Sequence, residues 1–368
     1  MLSRVGWRRG AAGIAAALLV LVGIALLGRA RGPEWSLAPE PVASLLAVGD
    51  TGEPPGWSGL RDGQRAVGFG LAREDRREPV DALLLLGDLF YPEGLKEEEL
   101  VERVRSNLVR PYCRFVDLSG PRSAEVADAC RRARPPGRPF YGVLGNHDWR
   151  TERSPRLEAE VVPEFVANWV LPDAGAAEVF ALSSRVSLVL FDSMTLLKTL
   201  DATALRDALR RAPGPWRILA AHHPVGTERR ESGDRAGDPA IYEALVRRAI
   251  ADAGVDVHVM LAGHEHNLQL IELSGTAPHL VAIAGGGSGS LPVKSRSAGR
   301  LFAYEGLGFA RVDLLREEGV ERLAVTLFAA PTWRRLLGAA PRALARWSVG
   351  LDGAVRAEPP TGRRVEPS

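Results

Sequence analysis

Three patterns in this 368-residue chain predict an α/β domain built on mixed sheets. Short apolar runs alternate with helical segments through the first two thirds. Strand-like runs then follow one another with little between them. Five of the apolar runs also close on a polar residue in a tight turn. A run that is apolar throughout, rather than at alternate positions, marks a strand buried on both faces. Apolar content of 46% with 25% charged residues belongs to a folded chain rather than a disordered one.

Residues 11 to 28 (AAGIAAALLVLVGIALLG) are uncharged and mostly apolar, with Arg4, Arg8 and Arg9 before them and Arg29 and Arg31 after. As a helix the segment would span roughly 27 Å, about a bilayer core. It is long for the apolar part of a signal peptide, and no Ala-x-Ala cleavage site follows. It is therefore read as an uncleaved N-terminal transmembrane helix, with a cleaved signal segment or a buried helix as alternatives. The expected location is membrane-anchored with the bulk of the chain outside the cytoplasm, or secreted if the signal is cleaved. Residues 29 to 43 contain Pro33, Pro39 and Pro41 and read as a linker. Net charge is +2 without a clustered basic face, so no nucleic-acid partner is expected. The chain is read as a monomer.

The domain proper runs from 44 to 330. Its first strand, Ser44 to Val48, ends at Gly49-Asp50-Thr51-Gly52. Helical spacing follows over 61 to 77. A second strand, Ala82 to Leu86, ends at Gly87-Asp88-Leu89-Phe90-Tyr91, and Lys96 to Leu108 reads as a surface helix. Residues 111 to 139 form a long connection with one short helix near Ala124 to Ala133. Cys113 and Cys130 lie within it, either as two free thiols or as a disulfide worth ~3 kcal/mol in an oxidising compartment. The strand Phe140 to Leu144 ends at Gly145-Asn146-His147-Asp148, and the stretch through Trp169 and Pro172 reads as irregular. Val179 to Leu182 and Val186 to Phe191 form a strand pair. A helix over Ala204 to Arg211 has Thr203 as its N-cap candidate. The strand Trp216 to Ala221 ends at His222-His223-Pro224, and a helix over Ile241 to Ala253 stops at Gly254. Val257 to Leu261 then leads into Ala262-Gly263-His264-Glu265-His266-Asn267-Leu268-Gln269, and four further strands follow. Residues 331 to 368 carry seven arginines and read as a C-terminal basic extension, a surface cap or frayed tail.

Ligand sites in open α/β sheets lie outside the carboxyl ends of strands. Asp50, Asp88, Asn146, His222 and His264 all stand at such ends, so separate runs can deliver them to one place. Carboxylate, imidazole and amide oxygen together suit zinc, iron or manganese better than calcium. A single Gly-Asp carries little information, but five ordered tips carry a great deal.

The ordered strings Gly49-Asp50-Thr51-Gly52, Gly87-Asp88-Leu89-Phe90-Tyr91, Gly145-Asn146-His147-Asp148, Ala220-Ala221-His222-His223 and Gly263-His264-Glu265-His266 resemble the calcineurin-like metallophosphoesterases. Tyr91 and the longer strings around Asn146 and His264 are closest to the purple, tartrate-resistant acid phosphatases. The resemblance covers roughly 44 to 315 and departs at Ala220, where valine is common in that family. It implies a four-layer α/β/β/α sandwich of two mixed sheets. It implies two metal ions, iron with iron, zinc or manganese. Asp50, Asp88, Tyr91 and His266 would hold the first ion, and Asp88, Asn146, His222 and His264 the second. It further implies hydrolysis of phosphate monoesters by a metal-activated hydroxide, with Asp88 and Asn146 at the reacting centre and His147 protonating the leaving group. The substrate would be a small phosphate ester or a phosphoprotein, with the membrane met through the N-terminal helix. A phosphodiesterase, a pyrophosphatase or a non-catalytic binding module are the alternatives.

Several other residues have plainer readings. His223 is expected beside the site rather than as a ligand, Glu265 to point away from both ions, and His258 to be a core histidine. Tyr91 could be a packed aromatic. Asp192 reads as a strand-end turn, His279 shows no partner, and Arg150, Arg153 and Glu265 are candidates for pocket polarity. The run Gly285 to Ser290 lacks the Gly-Lys-Ser/Thr of a phosphate-binding loop and reads as a flexible border.

Overall fold

A computed structural model of the chain describes residues 35, 41–53, 62–130, 137–228, 238–332, 335 and 338–360. The apolar segment 11 to 28 lies outside the described residues, and no helix among those described is long and apolar enough to cross a membrane.

Two mixed sheets carry the fold. The first has eight strands in the order β15-β14-β13-β12-β1-β2-β3-β4. Its parallel half is β1 (Ala43–Val48), β2 (Ala82–Leu85), β3 (Phe140–Gly142) and β4 (Trp169–Val170). The antiparallel half is β12 (Gly308–Glu317), β13 (Val320–Ala329), β14 (Arg342–Gly350) and β15 (Val355–Ala357). The second sheet has seven strands in the order β11-β9-β10-β8-β7-β6-β5. At its centre β6 (Val186–Phe191), β7 (Trp216–Ala220), β8 (Val259–Ala262) and β10 (Leu280–Ala284) run parallel. Around them lie β5 (Ala177–Ala181), β9 (Leu268–Glu272) and β11 (Arg300–Tyr304).

Burial explains the continuous apolar runs. In β1, Leu45 and Ala47 face the second sheet and meet Leu188, Ile218 and Leu261. Leu46 and Val48 face outward onto Val67 and Leu71 of helix α1 (Gly63–Arg77). Side chains alternate at every residue, so a strand covered on both faces needs both sets apolar. The outer face of the second sheet is covered by α2 (Ser193–Thr199), α3 (Thr203–Arg211) and α4 (Pro239–Ala253). Leu205, Leu209, Val246 and Ile250 meet Val189, Leu219 and Met260 there. Helix, sheet, sheet and helix are thus the layers.

Several sequence expectations are corrected. The segment read as a surface helix from Lys96 is helical to Val109, but Leu100, Val104, Leu108 and Val109 belong to the core. The stretch after Trp149 is not irregular throughout: Ser154–Arg156, Leu157–Val161 and Val162–Phe165 are helical, and Trp169 lies in β4. Pro155 falls in the first turn of this helical run, where no amide hydrogen is missed; Pro163 lies inside the run, and the carbonyl of Glu158, one turn before it, accepts from Trp169 Nε1 at 2.9 Å. The single helix expected near Ala124 is two short turns, Ser123–Glu125 and Ala127–Ala129. Ala202, not Thr203, occupies the N-cap of α3. Within the stretch read as a C-terminal extension, β14 and β15 continue the first sheet past the boundary placed at 330. Their arginines look like surface in the sequence, yet Arg346 is buried and donates to Thr326 Oγ1 at 2.8 Å. Trp35, from the stretch read as linker, is buried and donates to the Glu358 carbonyl at 2.9 Å. Cys113 and Cys130 form a disulfide.

Candidate metal centre

β1, β2, β3, β7 and β8 all deliver their carboxyl ends to one side of the sandwich. Hydrogen bonds tie the tips together: Asp50 N donates to Gly87 O at 3.0 Å, and Gly263 N to His222 O at 3.0 Å. Asp50, Asp88 and His264 adopt left-handed backbone conformations, with φ of 59°, 53° and 68°. Such conformations cost roughly 1–3 kcal/mol each outside glycine and gather at functional sites. They turn the chain sharply enough to aim these side chains into the space between strand ends. Gly145 is needed for another reason: a Cβ there would collide with the backbone nitrogen of Asp88.

Six of the seven candidate ligands form two compact triangles. In the first, Tyr91 Oη donates to Asp50 Oδ1 at 3.1 Å and lies 3.0 Å from His266 Nε2, which is 3.3 Å from Asp50 Oδ1. In the second, Asn146 Oδ1 is 3.0 Å from His222 Nε2 and 3.2 Å from His264 Nδ1, and the two nitrogens are 3.3 Å apart. Asp88 joins the halves: its Oδ1 is 3.5 Å from His222 Nε2, and carboxylate oxygens of Asp50 and Asp88 and a ring nitrogen of His222 lie within 4.8 Å of one another. Donor atoms around one ion with bonds of about 2.1 Å stand about 3.0–3.4 Å apart, so both triangles have the size of a coordination face.

The charges ask for a cation as well. Asp50, Asp88 and Asp148 are buried together. Burial first, then the Asp88 charge, raises the carboxyls of Asp50 and Asp148 well above the usual range. His222 donates Nδ1–H to the Leu86 carbonyl at 2.9 Å, which leaves Nε2 facing an amide oxygen. Two acceptors in that position need a proton or a metal ion between them. Burial and the Asp50 and Asp88 charges push the Tyr91 hydroxyl well up, so a phenolate there requires a strongly charged ion. The donor set, mixed oxygen and nitrogen around buried carboxylates, fits a pair of transition-metal or zinc ions.

His147 stands beside the triangles. Its Nδ1 donates to the Pro92 carbonyl at 2.6 Å, and its Nε2 lies 4.0 Å from Asp88 Oδ2. The ring is 20% exposed, so Nε2 can reach a bound molecule.

Several supporting residues carried no assigned role in the sequence. Asp148 accepts backbone N–H groups of Leu89, Phe90 and Gly145. It was part of a recognised string, but only the fold shows what it holds. Ser193 Oγ lies 2.8 Å from His223 Nδ1, and no sequence signal marks it. Glu265 is buried and accepts from Gln269 and Ser295 at 2.9 and 2.6 Å, facing away from both triangles' partners. Gly285 to Ser288 is buried rather than a flexible border, and Ser288 Oγ donates to the Asp50 carbonyl at 2.6 Å. Asp192 caps α2 through Met194 N and Thr195 N. Arg153 pairs with Glu97 at 2.7 Å, Arg150 donates to Pro92 O at 3.2 Å, and His279 pairs with Asp256 at 2.9 Å. His258 is a buried core residue.

Known proteins resemble this chain. The family model for calcineurin-like phosphoesterase matches residues 43–268. Purple acid phosphatase 4 of Arabidopsis thaliana is 24% identical over 307 residues, covering 76% of this chain and 80% of that protein. Two solved structures share the fold. GAP50, described as the anchor in the inner membrane complex of Plasmodium, aligns with a TM-score of 0.54 at 17% identity, over 78% of this chain and 84% of that one. Purple acid phosphatase PPD1 from yellow lupin aligns with a TM-score of 0.52 at 12% identity, over 86% of this chain and 55% of that one.

Proposed function

The chain belongs to the calcineurin-like phosphoesterase family, a family of metal-dependent phosphoester hydrolases, and on that premise we propose that it hydrolyses phosphate monoesters with two metal ions. The observation that carries this reading is the pair of donor triangles joined by Asp88. Asp50, Tyr91, His266 and Asp88 would hold one ion, and Asp88, Asn146, His222 and His264 the other. Iron paired with iron, zinc or manganese suits these donors. When bound, such a pair supplies Lewis acidity, a water of lowered pKa and positive charge for the phosphoryl oxygens.

The chain's own residues do the rest. Asp88 places one buried carboxylate between the halves, where it would be shared by both ions and offset charge from each. Asn146 offers a neutral amide oxygen, which leaves the second half more positive than a third carboxylate would. His147 carries its proton at Nδ1 to Pro92 and presents Nε2 to solvent. Protonated, that nitrogen donates to the leaving alkoxide, the step that a monoester with a poor leaving group needs most. Expected substrates are small phosphate esters or phosphoproteins. Activity on p-nitrophenyl phosphate should exceed that on bis-p-nitrophenyl phosphate; a preference for the diester would overturn the monoester reading.

The same proposal places the domain outside the cytoplasm on an N-terminal membrane segment, residues 11 to 28. The Cys113–Cys130 disulfide supports an oxidising compartment. The intact chain should leave membranes only with detergent, and release by salt alone would contradict a spanning segment.

A further inference from the structure

His222 and His223 are adjacent in the chain, and both rings are buried. Adjacent residues at a strand end normally point apart, so only one of them was expected in the site. In His222, Nδ1 is engaged by the Leu86 carbonyl and Nε2 faces Asn146. His223 is likewise engaged at Nδ1. Its Nδ1 is 2.8 Å from Ser193 Oγ, while its Nε2 is buried without a hydrogen-bond partner. At 6% exposure, solvent does not complete it. One ring nitrogen of each of His222, His223 and His264 lies within 4.8 Å of the other two. Since Ser193 occupies Nδ1 of His223, the nitrogen left for a ligand is Nε2. The residue is also pinned in place: its N–H donates to Ser193 Oγ at 3.3 Å, and Tyr242 donates to its carbonyl at 2.9 Å. Its ring packs 4.5 Å from that of His264.

We propose that His223 Nε2 is an additional nitrogen donor to the ion held by Asn146, His222 and His264. The proposal rests on the two-ion reading above and deepens it. Ligating histidines commonly have one ring nitrogen oriented by a neighbouring hydrogen-bond partner and the other directed at the metal. A buried polar atom without a partner is costly, and a bound cation removes that cost. With His223, one half of the centre carries three imidazoles, and the Tyr91 half carries one. The halves then differ in preference. The nitrogen-rich half suits Zn²⁺, Fe²⁺ or Co²⁺, and the oxygen-rich half suits a harder ion.

The intact protein loaded with Co²⁺ tests this. Proton NMR of a cobalt protein shows the exchangeable N–H of each ligating imidazole as a strongly shifted resonance. Wild type should show four, from His222, His223, His264 and His266, and three or fewer would overturn the assignment. In His223→Gln, one of them should vanish. Competition dialysis should show the zinc-over-manganese preference of one site falling about tenfold or more, with the other ion retained. An unchanged spectrum and unchanged preference in that variant would reduce His223 to a packing residue while leaving the two-ion reading intact. Failure of wild type to bind any ion would overturn both.

Discussion

The carboxylate of Asp148 accepts the backbone N–H of Leu89 at 2.9 Å, one residue past Asp88. The same carboxylate takes N–H groups from Phe90 and Gly145, so one buried side chain holds the turns after β2 and β3 together. Those turns carry Asp88 and Asn146. Asp148→Asn sets an amide donor against backbone donors. It should lower stability by about 2–3 kcal/mol and weaken metal retention. Urea unfolding with metal analysis checks this; a variant as stable and as metal-rich as wild type would show that Asp148 does not organise the turns.

His147 packs edge-on against Tyr91, with ring centroids 4.5 Å apart, but places no ring nitrogen in either triangle, so it separates proton transfer from metal binding. His147→Ala should lower turnover of a poor-leaving-group monoester by ~10²–10⁴-fold while both ions remain. Steady-state rates beside metal content decide it. Loss of an ion would make His147 a ligand.

His258 governs part of the acid response far from the site. Burial, with the His279 charge, lowers its pKa from the ordinary 6.5 to about 4, although Asp256 acts the other way. The unfolded chain therefore takes this proton first as pH falls. The native state keeps its full stability above pH 6.5 and loses ground as pH drops from 6.5 towards 4, by on the order of 3 kcal/mol. His258→Gln should flatten that loss in denaturant titrations across the window. An identical slope in both proteins would contradict the assignment.

These residues also show what the sequence made legible. The strands around the site were readable because each is buried on both faces, and each closes on a glycine or histidine turn with a polar tip. The convergence of Asp50, Asp88, Asn146, His222 and His264 follows from the rule for parallel strand ends. β14 was not readable, because the partner that buries Arg346 is Thr326, opposite it on β13, and because Trp35 reaches Glu358 from the other end of the chain. The helix through Val104 looked like surface because its charged residues outnumber the apolar stripe it buries. Asp148, Ser193 and His223 had visible identities, but their roles depend on neighbours that only the fold supplies. Even the left-handed turns at Asp50, Asp88 and His264 leave no sequence mark of their own.

Two ions joined by Asp88 would occupy the centre, and metal content per chain measures that directly. Wild-type protein loaded with zinc and iron should hold two ions, and Asp88→Asn, which loses the shared carboxylate, should hold fewer than one. A wild type with no ions, or an Asp88→Asn variant that keeps two, would contradict it.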